Sequence, residues 1–71
     1  MATDKDELDR LKSLLSYGID HNDEHENEIK EWAELARGLD YDAAGKILEE
    51  ASDQLAEVTD QLEDALEKLK K

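Results

Sequence analysis

Residues 41–70 read YDAAGKILEEASDQLAEVTDQLEDALEKLK, and the spacing of their apolar residues is the clearest structural signal in the chain. Apolar and small residues recur in steps of three and four over four heptads, which is the a/d seam of a coiled-coil helix. Asp40 or Asp42 is well placed to cap its start. We therefore predict one helix over residues 41–70. Its predicted seam consists of Tyr41, Ala44, Leu48, Ala51, Leu55, Val58, Leu62, Ala65 and Leu69.

The same step of three and four residues runs through the first half of the chain. Asp4 and Glu7 have capping-box spacing, which predicts a helix start near Asp4. Gly38 follows the last periodic residue and suits a C′ glycine, so residues 38–40 are the predicted turn. The first arm, residues 4–37, is either one long helix or two helices broken near Gly18. Its predicted seam is Leu8, Leu11, Leu15, Gly18, Asn22, His25, Ile29, Trp32 and Ala36.

The two arms are equally long from their first to their last seam residue, roughly 43 Å each at about 1.5 Å per residue. Equal arms joined by a short turn predict an all-α antiparallel helical hairpin. Pairing Ala36 with Ala44 sets a register in which the numbers of facing residues sum to 80. Large side chains then meet small ones at most layers, as good packing requires. Trp32, the largest residue of the seam, is a predicted core residue.

Composition restricts the class of protein. The chain has 71 residues, 21 Asp and Glu against 9 Lys and Arg, a net charge of -12, and no Cys. We expect a single domain over residues 1–71, with no disulfide or thiol chemistry. The negative charge argues against nucleic-acid and anionic-membrane partners. There is no apolar run for a membrane span or signal peptide, so we expect a cytoplasmic protein. Without a phosphate-binding loop or an activated nucleophile, we expect no enzyme activity.

An isolated hairpin buries only one seam, and a core of that size is marginal for so short a chain. Leu14, Leu35 and Ile47 are apolar residues outside the seam, and their heptad positions place them on one side of the hairpin. We therefore predict that the hairpin packs against a second copy, as a homodimer, or against a partner helix. Two hairpins would form a four-helix bundle. The alternative is a monomer.

The segment of residues 19–28 contains both histidines of the chain and five carboxylates. His21 and His25 are four residues apart, the spacing at which two imidazoles on one helix face can reach one ion. Glu28 and Glu24 can add carboxylate oxygens or orient an imidazole. We predict a metal site with ligands His21, His25, Glu28 and Glu24. Zinc, nickel, cobalt and copper all suit imidazole with carboxylate, so all four are candidates.

Two other interpretations of these residues stay open. Asn22 and His25 occupy seam positions, where a polar residue often sets helix register or oligomeric state. Alternatively, the histidines are ordinary solvated residues of an acidic helix. The sequence thus supports two hypotheses, which are a small helical metal-binding protein and a helical interaction module without a metal.

Residues 17–25, YGIDHNDEH, followed by Glu31-Trp32-Ala33, carry a family resemblance. They resemble small helical prokaryotic proteins and appended domains of uncharacterised function. The shared pattern is W-I-x-H-N-x-E-H, then W-A, then an acidic helix rich in Leu and Ala. Gly18 stands where that pattern has Trp. The resemblance implies no activity, but it selects the residues to test, which are His21, Asn22, Glu24, His25 and Trp32.

Overall fold

The computed structural model describes residues 4–70, so the ends of the predicted 1–71 domain lie outside the described residues. Within this range two helices, α1 (Asp4–Gly38) and α2 (Asp42–Lys68), make up the secondary structure, and no strand is present. They pack along each other as a hairpin that measures 56 × 19 × 12 Å. The smallest dimension is about the diameter of one helix. The predicted all-α hairpin is confirmed.

The first arm is one continuous helix of 35 residues, so the alternative with a break near Gly18 is wrong. Gly18 is half-buried, and a Cβ on it would lie 3.9 Å from Leu62 Cδ1. The flanking residues favour helix, and packing on α2 outweighs the ~1 kcal/mol that a glycine costs inside a helix. The contact of Gly18 with Leu62 agrees with the predicted register, because the two numbers sum to 80.

The turn is closed by Asp40 and not by Gly38, which lies inside α1. Asp40 has the left-handed φ of 69°. Tyr41 N–H donates to Ala36 O at 2.8 Å, and Asp40 N–H donates to Arg37 O at 3.0 Å. These two bonds define a Schellman motif with Asp40 at C′. The predicted capping of α2 by Asp40 or Asp42 is also wrong, because Tyr41 occupies the N-cap position and no side chain caps the helix.

The contact between the helices is rotated by one residue from the predicted seam. Leu48, Leu55, Leu62 and Leu69 are half-buried, as the seam predicts, but Tyr41, Ala44, Val58 and Ala65 are exposed. The buried residues of α2 each come one position later than a predicted one, and they are Gly45, Ser52 and Thr59. On α1, Ala33 is buried, whereas Trp32 is 51% exposed. Trp32 is therefore not a core residue of the hairpin.

Small side chains explain this rotation because they let the two backbones approach closely. A Cβ on Gly45 would lie 2.8 Å from Arg37 Cγ and 3.2 Å from Ala33 O. The hydroxyl of Ser52 points at the facing helix, with its Oγ 3.4 Å from Glu26 O. The Thr59 hydroxyl donates to Leu55 O, one turn earlier in α2. Each buried hydroxyl has a backbone acceptor, so these positions are small without leaving a polar atom unpaired.

Candidate functional site

Half of the large apolar side chains in the described part of the chain are exposed. Leu35 is 67% exposed and Ile47 is 64% exposed, and Trp32 joins them. Monomeric proteins rarely leave so many large apolar side chains of one surface in water. We call this surface the apolar face. On α1 it consists of Leu11, Leu14, Gly18, His21, His25, Glu28, Trp32, Leu35 and Leu39, and on α2 of Ala44, Ile47, Ala51, Gln54, Val58, Gln61 and Ala65.

Helix geometry places both stripes on the same side of the hairpin. Trp32 precedes the buried Ala33 by one residue, just as Val58 precedes the buried Thr59. On each helix the exposed stripe precedes the buried seam by one residue, and one residue corresponds to a rotation of about 100° around the helix axis. Because the helices run antiparallel, equal turns of this kind bring both stripes to one side. The predicted grouping of Leu14, Leu35 and Ile47 fits this arrangement.

The two histidines lie in the middle of the apolar face. The Nε2 atoms of His21 and His25 are 2.9 Å apart, and their rings meet edge to face at a centroid distance of 4.3 Å. At this separation one imidazole donates its Nε2–H to the lone pair of the other. The predicted convergence of two imidazoles at spacing i, i+4 is present, with the two Nε2 atoms in hydrogen-bond contact.

Glu28 contacts the opposite nitrogen of His25. Its Oε2 lies 3.6 Å from His25 Nδ1, on the far side of the ring from His21. A carboxylate near Nδ1 favours the tautomer protonated there, and that tautomer leaves the Nε2 lone pair free. Glu28 is thus placed to orient His25, and in this geometry it does not join His21 and His25 around one ion.

Glu24, the fourth predicted ligand, is exposed, and the contacts that connect His21, His25 and Glu28 do not include it. Within residues 4–70, no three His, Cys, Asp or Glu side chains form a group that could hold a metal ion. Tyr17, which is not among the predicted site residues, stacks on His21 with ring centroids 5.7 Å apart. Its i, i+4 spacing from His21 is the sequence signal that would have identified it.

The opposite side of the hairpin is charged. A hydrogen bond and the charge of Glu26, which lies 3.0 Å from Lys30 Nζ, raise the pKa of Lys30. Arg37 donates from Nε to Glu49 at 3.0 Å across the two helices. An open cleft of about 290 Å³ on this side is lined by Lys30, Glu34, Glu49, Ser52 and Asp53. Apart from Ser52, its walls are charged groups, so it is not a typical apolar ligand pocket.

Among the described residues, no helix combines the length and apolar character needed to cross a membrane. Comparison with curated proteins gave no match, and comparison with solved structures gave none either. A family model described as a domain of unknown function, DUF8180, matches residues 11–69. This match includes both helices, the apolar face and the histidine pair, and it agrees with the resemblance to a small uncharacterised domain. The chain therefore belongs to the DUF8180 family.

Proposed function

We propose that this protein is a self-association module in which two hairpins pack apolar face to apolar face as a four-helix bundle. The observation that carries the proposal is the exposure of large apolar side chains on one side of a hairpin that is one helix thick. The proposed role is binding and not catalysis. The apolar face takes a second copy of the same chain, and three arguments favour that occupant.

The first argument is surface area. A compact monomer of this chain's mass, 8.1 kDa, exposes about 4,500 Å². This chain exposes 5690 Å². The excess of about 1,200 Å² is larger than the ~800 Å² that each partner buries in a standard protein interface. One hairpin of the same size, packed on the apolar face, would cover that excess.

The second argument is charge. Copies of a chain with a net charge of -12 repel each other, and the repulsion is smallest when the contact surface contains few charges. The α2 stripe of the apolar face contains no charged residue, and the α1 stripe contains one, Glu28. Interface cores in proteins show the same depletion. The acidic groups of α1 and α2 lie mainly on the remaining surface, where water screens them.

The third argument is symmetry. On α1, His25 lies midway between Leu11 and Leu39, which are the two ends of the stripe. A two-fold axis through this point, perpendicular to the helix, lays the apolar end of one copy on the apolar end of the other. It also sets Trp32 of each copy over Gly18 of the other, a large residue over a small one. A surface that complements itself about a two-fold axis is typical of a homodimer.

Analytical ultracentrifugation tests the proposal. The wild-type chain should sediment as a species of 2 × 8.1 kDa at micromolar concentration. The double variant Leu35→Glu, Ile47→Glu should sediment as a monomer, since each change buries a charge in the interface. The control is Ser13→Glu, Asn27→Glu, which adds the same charge at exposed positions off the apolar face and should stay dimeric. A wild-type monomer, or a dimer unaffected by the Leu35 and Ile47 changes, would contradict the proposal.

Trp32 gives a second readout of the same association. It is the only tryptophan of the chain. Its exposed ring becomes buried in the proposed dimer, so its fluorescence should shift to the blue as concentration rises. The shift should follow the dimer fraction from ultracentrifugation and should be absent in the Leu35→Glu, Ile47→Glu variant. Emission that does not depend on concentration, in a sample that does dimerise, would place the interface elsewhere.

A second candidate function is the binding of a divalent transition metal. The observation that favours it is the separation of only 2.9 Å between the Nε2 atoms of His21 and His25. Zinc, cobalt, nickel and copper all accept imidazole nitrogen. One hairpin supplies two nitrogen ligands at that point, which is half of a tetrahedral set.

A further inference from the structure

We infer that the two candidate functions belong to one site, in which a divalent transition metal is bound between two copies of the chain by His21 and His25 of each. The inference rests on the proposed dimer, because neither copy offers more than two imidazoles. It assigns the polar centre of the apolar face to metal coordination.

The imidazole pair has nearly the separation that a metal requires. Zinc–nitrogen bonds of 2.0–2.1 Å at a tetrahedral angle place two nitrogen ligands about 3.3 Å apart. The two Nε2 atoms are 2.9 Å apart without an ion. Small rotations about the side-chain torsions separate them by the missing distance, with no change in α1. A rigid helix thus holds both ligands close to their bound positions.

The tautomer that Glu28 favours for His25 also suits a ligand role. Both Nε2 lone pairs must be free for metal binding, so each ring must carry its proton on Nδ1, and the ring that donates its Nε2–H in the ion-free pair gives up that proton. Glu28 Oε2 lies 3.6 Å from His25 Nδ1, where its charge favours a proton on that nitrogen. A carboxylate on the far nitrogen of a ligating histidine is the usual arrangement in protein metal sites. In this assignment Glu28 is a positioning residue, and Tyr17 fixes the plane of the His21 ring by stacking on it.

Symmetry supplies the other half of the ligand set. The two-fold axis that matches the apolar ends of the α1 stripe passes at His25, midway between Leu11 and Leu39. The imidazole pairs of the two copies then lie on either side of the axis, each centred at residue 23, about 3 Å from the axis along the helix and within the reach of the histidine side chains. Four nitrogens from four histidines form a closed set that suits Zn²⁺ or Co²⁺. Two polar pairs that would otherwise oppose each other inside an apolar interface gain a shared partner in the ion.

The test combines metal titration with measurement of mass on tag-free protein freed of metal by a chelator. We expect one Zn²⁺ per two wild-type chains, bound in calorimetry, and a Co²⁺ absorption spectrum of the tetrahedral type. His21→Ala and His25→Ala should each weaken Zn²⁺ binding by at least about tenfold. The Leu35→Glu, Ile47→Glu monomer keeps both histidines, and its Zn²⁺ affinity should fall by a similar factor. Asp23→Asn, a matched change off the apolar face, should bind as wild type does.

Three results would overturn the inference, and mass measurement distinguishes them from failure of the proposed dimer. If the wild-type chain dimerises but binds no Zn²⁺, the proposed dimer stands and the proposed metal site is wrong. One Zn²⁺ per chain, with equal affinity in the monomeric variant, places the ion within a single hairpin. A wild-type chain that stays monomeric with and without Zn²⁺ removes both the dimer and the shared site.

Discussion

The carbonyl oxygen of Ala33 lies 3.2 Å from the position that a Cβ would take on Gly45. At this level the two helices touch through backbone atoms. The Arg37 side chain also contacts Gly45, because its Cγ lies 2.8 Å from that Cβ position. Its guanidinium group forms an ion pair with Glu49. Gly45 is therefore kept by close packing, although glycine costs ~1 kcal/mol inside a helix.

We predict that Gly45→Ala lowers the free energy of unfolding by about 1 kcal/mol. The gain in helix propensity is ~1 kcal/mol, but crowding a tight contact costs 1–3 kcal/mol. Gly18→Ala is the matched control, because its Cβ would meet Leu62 Cδ1 at an ordinary 3.9 Å. That variant should gain up to about 1 kcal/mol. Thermal unfolding in the Leu35→Glu, Ile47→Glu background, where the proposed dimer does not bury Gly18, measures both variants, and equal stabilisation by the two alanines would contradict the close approach at Gly45.

Asp40 is in a left-handed conformation in the turn, with φ of 69°. Residues with a Cβ pay about 1–2 kcal/mol there, and glycine pays almost nothing. We predict that Asp40→Gly raises the free energy of unfolding by about 0.5–1 kcal/mol, after the greater freedom of glycine in the unfolded chain is allowed for. Asp40→Ala should instead lower it. The two variants differ by one methyl group, and identical melting temperatures would show that Asp40 is not strained.

Salt should strengthen association. Each chain has a net charge of -12, so a dimer carries 2 × -12 = -24 and its halves repel each other. Raising NaCl from 10 mM to 150 mM shortens the screening length from about 30 Å to about 8 Å. We predict that the dimer Kd falls several-fold over this range, as measured by sedimentation equilibrium. In the variant Glu31→Gln, Glu34→Gln the fall should be smaller. A Kd that rises with salt would instead indicate ion pairs across the interface.

The leucines at 48, 55, 62 and 69 predict the inner face of α2, since they are half-buried in the structure as the heptad requires. The register predicted by pairing the two arms agrees with the contact of Gly18 with Leu62. Their neighbours on the seam are harder to predict. A count of apolar residues prefers Ala51 and Val58 to Ser52 and Thr59, because a hydroxyl scores as polar. In the folded hairpin each hydroxyl has a backbone acceptor, so its polarity costs little and its small size decides.

The sequence also predicts the candidate site only in part. Spacing on one helix face predicts that His21 and His25 meet. The orientation of each ring depends on neighbours that spacing does not identify, such as Tyr17 stacked on His21. Glu28 is on the predicted stripe, yet it reaches the outer nitrogen of His25 and not the shared point. Spacing predicts which residues approach each other, and the side-chain torsions determine which atoms meet.

The seam of Gly45, Ser52 and Thr59 also affects how this sequence can vary. The helices pack closely at these three residues and leave little room for larger side chains, so this seam should accept only residues of similar size. The other stripe of α2 is lined by Ile47, Val58 and alanines that a second copy can repack against. In the DUF8180 family, substitutions should therefore be rare at every seventh position from Gly45. They should be frequent one position earlier, where partner choice can diverge while the hairpin stays the same.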